Sequence, residues 1–234
     1  MRGFKLILPA GLLVMIANGG CAQIAGNTLA VSPSKLCVTE GAVEAQEGNR
    51  FSVESSKMRA YVNGWTSQAI GAHFTYLGPT AEESRLGSGE IRRQFGLKLG
   101  AQNACNLVYV MWRFEPQSRI VVSVKRNPGK TLSSECGNRG YQNIKARHSG
   151  PPPAMGRGET HDLGAEMKGT QLRVMVDGKE VWDGDVGPEA RDLKGPVGIR
   201  SDNVRLGVDL EAGQVEGPHP HFLAACKSGP GVSD

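Results

Sequence analysis

Apolar and polar residues alternate along most of the chain after residue 50, most sharply between Gly169 and Leu210. Leu172, Val174 and Val176 alternate with Gln171, Arg173 and Met175, the two-residue period of a half-buried strand. Asp177-Gly178 follows, a pair that tolerates positive φ and so closes a hairpin. The short return strand carries Val181 and Trp182. Its register has two options. With Asp177-Gly178 as the loop, Trp182 faces Arg173. With Asp177-Gly178-Lys179 as the loop and a bulge, Trp182 faces Val174. A one-residue slip turns every side chain to the other face, and burying a Trp is worth roughly a few kcal/mol. The three-residue loop is therefore expected. Gly195-Pro196 breaks the pattern, Val197 and Ile199 alternate, Ser201-Asp202-Asn203 turns, and Val204, Leu206, Val208 and Leu210 alternate again.

The same period runs upstream. Phe51 and Val53 suit a first strand, and Met58, Ala60 and Val62 alternate with Arg59, Tyr61 and Asn63. Ala72, Phe74 and Tyr76 share one face of a strand over 71–77, with His73 and Thr75 on the other. Phe95, Leu97 and Leu99 alternate with Gln94, Gly96 and Lys98. Cys105 to Glu115 is the longest apolar stretch. Val108, Val110, Trp112 and Phe114 make one face, and Leu107, Tyr109, Met111 and Arg113 the other, as suits the middle of a sheet. Ile120, Val122 and Val124 oppose Val121, Ser123 and Lys125, with a hairpin turn at Glu115 to Arg119. Residues 127–160 break the period and are rich in Gly, Pro and Ser, so they read as one long irregular stretch pinned by Cys136. His161 to Met167 opens the strand that leads into the hairpin.

That makes about ten strands at the spacing of a sandwich or barrel. The 234 residues, 39% hydrophobic with 32 Gly and 13 Pro, suit short strands and turns better than a helical bundle. The expected fold class is all-β.

Residues 1–20 have the order of a signal peptide: basic Arg2 and Lys5, apolar Leu6 to Ile16, then small residues. Gly19-Gly20-Cys21 resembles the lipobox of bacterial lipoproteins, with Asn18 where a Leu-like residue is usual, which implies lipidation at Cys21. The expectation is export: an outer-membrane or periplasmic lipoprotein, otherwise a secreted protein, touching the membrane only through that anchor. Residues 21–50 read as a tether, 51–213 as the sandwich and 214–234 as a tail. The formal charge is +4, and removing Arg2 and Lys5 leaves +2. A chain so weakly basic lacks the footprint of a nucleic-acid binder.

Of five cysteines, Cys21 aside, an even four remain, which in an exported chain suggests disulfides. Three pairings are possible. Cys37–Cys226 is favoured because sandwich termini often lie close, leaving Cys105–Cys136 to fasten a loop to a central strand.

The stretch Thr160 to Leu210 resembles concanavalin A-like jelly rolls, through His161-Asp162-Leu163 and Leu172 to Gly178. It looks most like their bacterial keto-glycoside hydrolase-like branch, through the turn from Gly195 to Asn203. The resemblance implies a two-sheet antiparallel jelly-roll β-sandwich that binds ligands on its concave sheet. The superfamily spans lectins, hydrolases, lyases and non-catalytic modules, so fold does not fix function.

With the apolar faces turned inward, the outward set is His73, Gln94, Lys98, Tyr109, Met111, Arg113, Ser123 and Lys125. Tyr109 suits stacking on a sugar ring, and Arg113, Lys98 and Lys125 suit carboxylates, Arg as a bidentate fork. Arg139 and Tyr141 are candidate recognition residues in the loop after Cys136. An acidic or neutral glycan is the expected ligand of a non-catalytic module. A uronate lyase would use Tyr109 or His73 as base, with Arg113 and Gln94 neutralising the carboxylate. A hydrolase would need a carboxylate pair, for which Glu90, Glu115 and Glu135 are available. A partner-binding envelope lipoprotein is the third class. No cofactor and no metal are expected. His219 and His221 lack a third ligand, and calcium at Asp202-Asn203 or Asp183/Asp185 competes with ordinary turn chemistry.

Overall fold

The computed structural model describes residues 28–213. Among them, sixteen strands form two antiparallel sheets packed as a sandwich. In chain order they are β1 (Thr28–Ala30), β2 (Leu36–Glu40), β3 (Glu44–Ala45), β4 (Phe51–Val53), β5 (Lys57–Thr66), β6 (Ala69–Pro79), β7 (Gln94–Asn103) and β8 (Asn106–Arg113). They continue with β9 (Arg119–Lys125), β10 (Tyr141–Asn143), β11 (His148–Ser149), β12 (Thr160–Lys168), β13 (Gln171–Val176), β14 (Lys179–Asp185), β15 (Pro196–Asp202) and β16 (Val204–Gly213). One helical turn, α1, spans Ser133–Cys136.

The first sheet runs β11-β14-β13-β12-β6-β16-β4-β3, with β1 also paired to β16. The second runs β10-β9-β8-β7-β15-β5-β2. The alternating apolar residues of both sheets meet between them. Phe74 of the first sheet packs on Phe95 of the second with ring centroids 4.8 Å apart, and meets Trp112 edge-on at 5.7 Å. The Trp112 indole N–H, buried in this core, donates to Ser118 Oγ at 2.8 Å. The polar tip of this buried indole is thus satisfied.

The hairpin places Trp182 opposite Val174, as burial requires, but by a different route. Its loop is the two-residue Asp177-Gly178, both at positive φ (50° and 74°), with Val176 paired to Lys179. The extra residue is Val181, in a bulge between Val174 and Met175, so the expected three-residue loop is corrected.

Two further expectations need revision. Residues 28–45, read as tether, supply β1 and β3 to the first sheet and β2 to the second, where Cys37 is buried opposite Tyr61. These three strands, of three, five and two residues, bury few of their side chains and so show little alternation. The strand over 71–77 belongs to the first sheet, between β12 and β16, not with the strands at 94–126.

The chain changes sheets at Asn203, the left-handed residue (φ 57°) between β15 and β16. Its side chain is buried and does more than turn the chain. Asn203 Oδ1 accepts from the Ser84 N–H at 2.7 Å, while Nδ2 donates to the carbonyls of Ser84 at 2.9 Å and Arg92 at 3.0 Å. The loop 80–93 is thereby fastened at its first third and its end. The loop after β9 is pinned as well. Cys105 and Cys136 form a disulfide, and Asn127 Nδ2 donates to the carbonyls of Cys105 at 3.2 Å and Arg139 at 2.9 Å. Cys226, Cys21 and the histidines of the tail lie outside the described residues.

Candidate functional site

Both fastened loops lean over the outer face of the second sheet. There the register lines up side chains from five strands. Arg113 of β8 pairs with Gln94 of β7, and Gln94 with Asp202 of β15. One row along, Arg200 of β15 lies between Arg59 of β5 and Gly96 of β7. Next come Lys98, Tyr109 and Ser123 on β7, β8 and β9.

Two adjacent pockets occupy this face, of about 320 Å³ and about 260 Å³. Leu86, Gly87, Tyr109, Asn138, Tyr141 and Arg200 line both. The larger adds Glu40, Arg59 and Lys125, and the smaller adds Gln94, Arg92 and Arg113. Gly87 and Asn138 come from the two loops and meet above the sheet. A Cβ on Gly87 would lie 2.6 Å from Asn138 Nδ2, so any side chain there would push the Asn138 amide aside. This arch borders both pockets.

Charge on this floor is organised by Asp202, which is fully buried. Arg59 Nη2 donates to Oδ1 at 2.6 Å, and Arg200 Nε and Gln94 Nε2 donate to Oδ2 at 2.9 Å and 2.6 Å. Burial alone would raise the Asp202 pKa. The Arg200 and Arg59 charges outweigh burial and hold it down at about 2. Burial likewise opposes the charge on Arg200, and Asp202 outweighs it, leaving this guanidinium above its ordinary value. With two cations on its carboxylate, Asp202 does not suit calcium. Asp183, held by Arg147 and His148, does not either. Among the described residues no cluster of three His, Cys, Asp or Glu is placed to hold a metal ion.

Arg113 differs from its neighbours. Arg92 pairs with Glu90 and Arg200 with Asp202, but Arg113 makes no ion pair among the described residues. Its Nε is buried without a hydrogen-bond partner. Burial, helped by the nearby charges of Arg92 and Arg119, pushes its pKa down to about 10. The Oε1 atom of the adjacent Gln94 is also buried and unpartnered.

Of the residues expected at the site, Gln94, Tyr109, Arg113, Lys125 and Tyr141 come together here. Tyr109 does not fill the role foreseen for it. It is only 3% exposed, its ring stacked on Tyr141 at 5.9 Å and approached by Arg200 at 5.2 Å. The exposed aromatic surface is that of Tyr141, at 39%. Lys98 is fully buried over the Tyr61 ring at 4.0 Å and lines neither pocket. Arg139 is exposed and outside both pockets. His73 is on the first sheet, with Nδ1 2.7 Å from Asp162 Oδ1, and takes no part.

The expected carboxylates are engaged locally. Glu90 pairs with Arg92, Glu115 with Arg93 at 2.7 Å, and Glu135 accepts from the N–H groups of Thr131 and Leu132. Arg59, Arg200 and the arch went unrecognised in the sequence, and Asp202 was singled out only as a calcium ligand, not as the partner of two arginines. The first two follow from the outward alternation of β5 and β15 once both strands are assigned to this sheet. Gly87 and Asn138 carry no signal, because loop conformation has no period.

No family model matches the chain, and no curated protein matches it in sequence. Solved structures do resemble it. Carbohydrate binding module CBM66 from Bacillus subtilis is 12% identical with a TM-score of 0.51, over 74% of this chain and 91% of that one. The Crh5 transglycosylase in complex with NAG is 12% identical with a TM-score of 0.45, over 84% and 86%. Galectin LEC-6 of Caenorhabditis elegans is 13% identical with a TM-score of 0.38, over 72% and 97%. The likeness to the module shows the fold alone, a two-sheet antiparallel jelly-roll β-sandwich.

Proposed function

We propose that this chain binds saccharide on the outer face of the second sheet, in the two pockets beneath the Gly87–Asn138 arch. The carrying observation is the arch itself. Two independently fastened loops enclose a polar floor and one exposed aromatic ring, Tyr141. Sugar rings bind through an apolar face and a rim of hydroxyls. Tyr141 offers the first a partner, and Asn138, Asn143, Ser123 and the arginines offer the second. The jelly roll of a carbohydrate binding module is consistent with this reading, although the fold alone does not carry it.

Binding fits the residues better than hydrolysis. Glu40 is the one carboxylate among the residues lining the two pockets, whereas glycoside hydrolysis uses two. The turn from Gly195 to Asn203, which forms β15 and the sheet crossing, supports kinship with the keto-glycoside hydrolase-like branch within the same proposal. Export, with Cys21 as the site of lipid attachment, belongs to it on the order of residues 1–21.

The test is a glycan array with the wild type, Tyr141→Ala and Asn138→Ala. Binding by the wild type that both variants lose supports the reading. Wild-type binding untouched by either change sinks the assignment to this face. New reducing ends or new ultraviolet absorbance during incubation would replace it with an enzyme.

A further inference from the structure

The smaller pocket is lined by three arginines, Arg92, Arg113 and Arg200, and by no carboxylate. Two of the three have their own acid: Glu90 for Arg92 and Asp202 for Arg200. Arg113 has none among the described residues, although it is half-buried at the end of β8, an inner strand of the sheet. A guanidinium so placed costs solvation free energy, and no ion pair among the described residues offsets that cost. Arg113 therefore sits in the sheet as a charge without a salt-bridge partner among the described residues, in a pocket whose walls focus its field. The remaining lining suits a sugar: Ser123, Asn143 and Asn138 are neutral hydrogen-bonding groups, and Tyr141 is an aromatic face.

We infer that the Arg113 pocket is a subsite for an oxyanion carried on a sugar ring, a uronate carboxylate or a sulfate ester. This rests on the saccharide-binding reading and adds the ligand's charge and the residue that reads it. The planar guanidinium fork matches either oxyanion, where an ammonium would act only as a point charge. Arg92 and Arg200 add positive potential from the flanks but keep their own partners. The larger pocket differs in one respect: Glu40 lines it and lies 3.8 Å from Arg59, so it carries a carboxylate that the smaller pocket lacks. A chain spanning both pockets would place its charged substituent at Arg113 and neutral hydroxyls in the larger pocket.

The experiment measures affinity for matched polymers: polygalacturonate against its carboxyl-reduced form, and dextran sulfate against dextran. The proteins are the wild type, Arg113→Gln, Arg113→Lys and Lys168→Gln. Lys168 lies on the first sheet with its side chain 74% exposed, so its variant removes one charge away from the site. The wild type is expected to prefer the charged member of at least one pair by about tenfold or more, more strongly at low salt. Arg113→Gln should erase that preference, Arg113→Lys should restore part of it, and Lys168→Gln should leave it intact. The preferred pair tells carboxylate from sulfate.

Wild-type binding that is indifferent to charge overturns the oxyanion subsite and leaves saccharide binding standing. So does a preference that Lys168→Gln weakens as much as Arg113→Gln. Binding to no saccharide overturns both. The wild-type contrast needs no variant, and melting curves show whether Arg113→Gln is folded.

Discussion

Asn203 grips Ser84 with both ends of its amide, accepting from the backbone N–H at 2.7 Å and donating to the carbonyl at 2.9 Å. A residue chosen for a left-handed turn between the sheets thus also positions the loop that carries Leu86, Gly87 and Arg92. Asn203→Gly keeps the backbone conformation and removes the grip. It should cost about 2–4 kcal/mol in denaturant unfolding, from buried hydrogen-bonding groups left unpaired. It should also weaken saccharide binding, because one side of the arch loses its anchor. Unchanged affinity would show that the loop holds its place without Asn203.

Asp202 ties the acid stability of the fold to the floor of the site. Its pKa is held down, from 3.8 to about 2. A depressed carboxylate pKa stabilises the fold fully above about pH 4, and that contribution disappears as pH falls towards 2. The loss is about 2–3 kcal/mol. Asp202→Asn leaves Arg59 and Arg200 without their shared charge and should cost about 3–5 kcal/mol near neutral pH. It should also flatten the acid limb of the stability curve between pH 4 and 2. An acid limb as steep as the wild type's would assign the titration to another group.

The Cys105–Cys136 disulfide closes a segment with a sequence separation of 31 and holds α1 against the end of β7 and the start of β8. Replacing both cysteines by alanine should lower unfolding free energy by about 3–4 kcal/mol through the freed unfolded chain. The loop bearing Asn138 loosens with it, so affinity should fall even where the sandwich is fully folded. Calorimetry at a temperature well below melting separates the two effects.

Gly87→Leu fills the space that the arch leaves closed. The nearest atoms are the tip of the Asn138 side chain, which can move aside, so stability should change by less than about 1 kcal/mol. Saccharide affinity should drop sharply, because the residue borders both pockets. His73→Ala, on the opposite sheet, should leave affinity unchanged. If His73→Ala is the variant that loses binding, the site is on the wrong face.

Much of the sandwich was legible because burial on one face imposes a period of two. That period identified β4 to β9 and β12 to β16, and burial of Trp182 identified its partner Val174. It also sorted Tyr109, Arg113, Gln94 and Lys125 away from the core. Alternation tells which face a residue takes but not which sheet its strand joins. That is why His73 was grouped with residues on the other side of the protein. The short strands β2 and β10 depend on pairing partners far along the chain and leave little local trace. Exposure follows from what lies overhead, so Tyr109 and Lys98 faced outward as expected yet ended up covered. The arch itself depends on a disulfide and an asparagine remote from it.

The pairing of β1 with β16 sets Thr28 opposite Gly213, so the described fold begins and ends at neighbouring positions on the first sheet. The pockets open on the outer face of the second sheet, beyond the core. Both ends of the described fold thus emerge side by side on the sheet opposite the one that bears the pockets, the arrangement that lets a domain be inserted into a loop of another protein without parting its own strands.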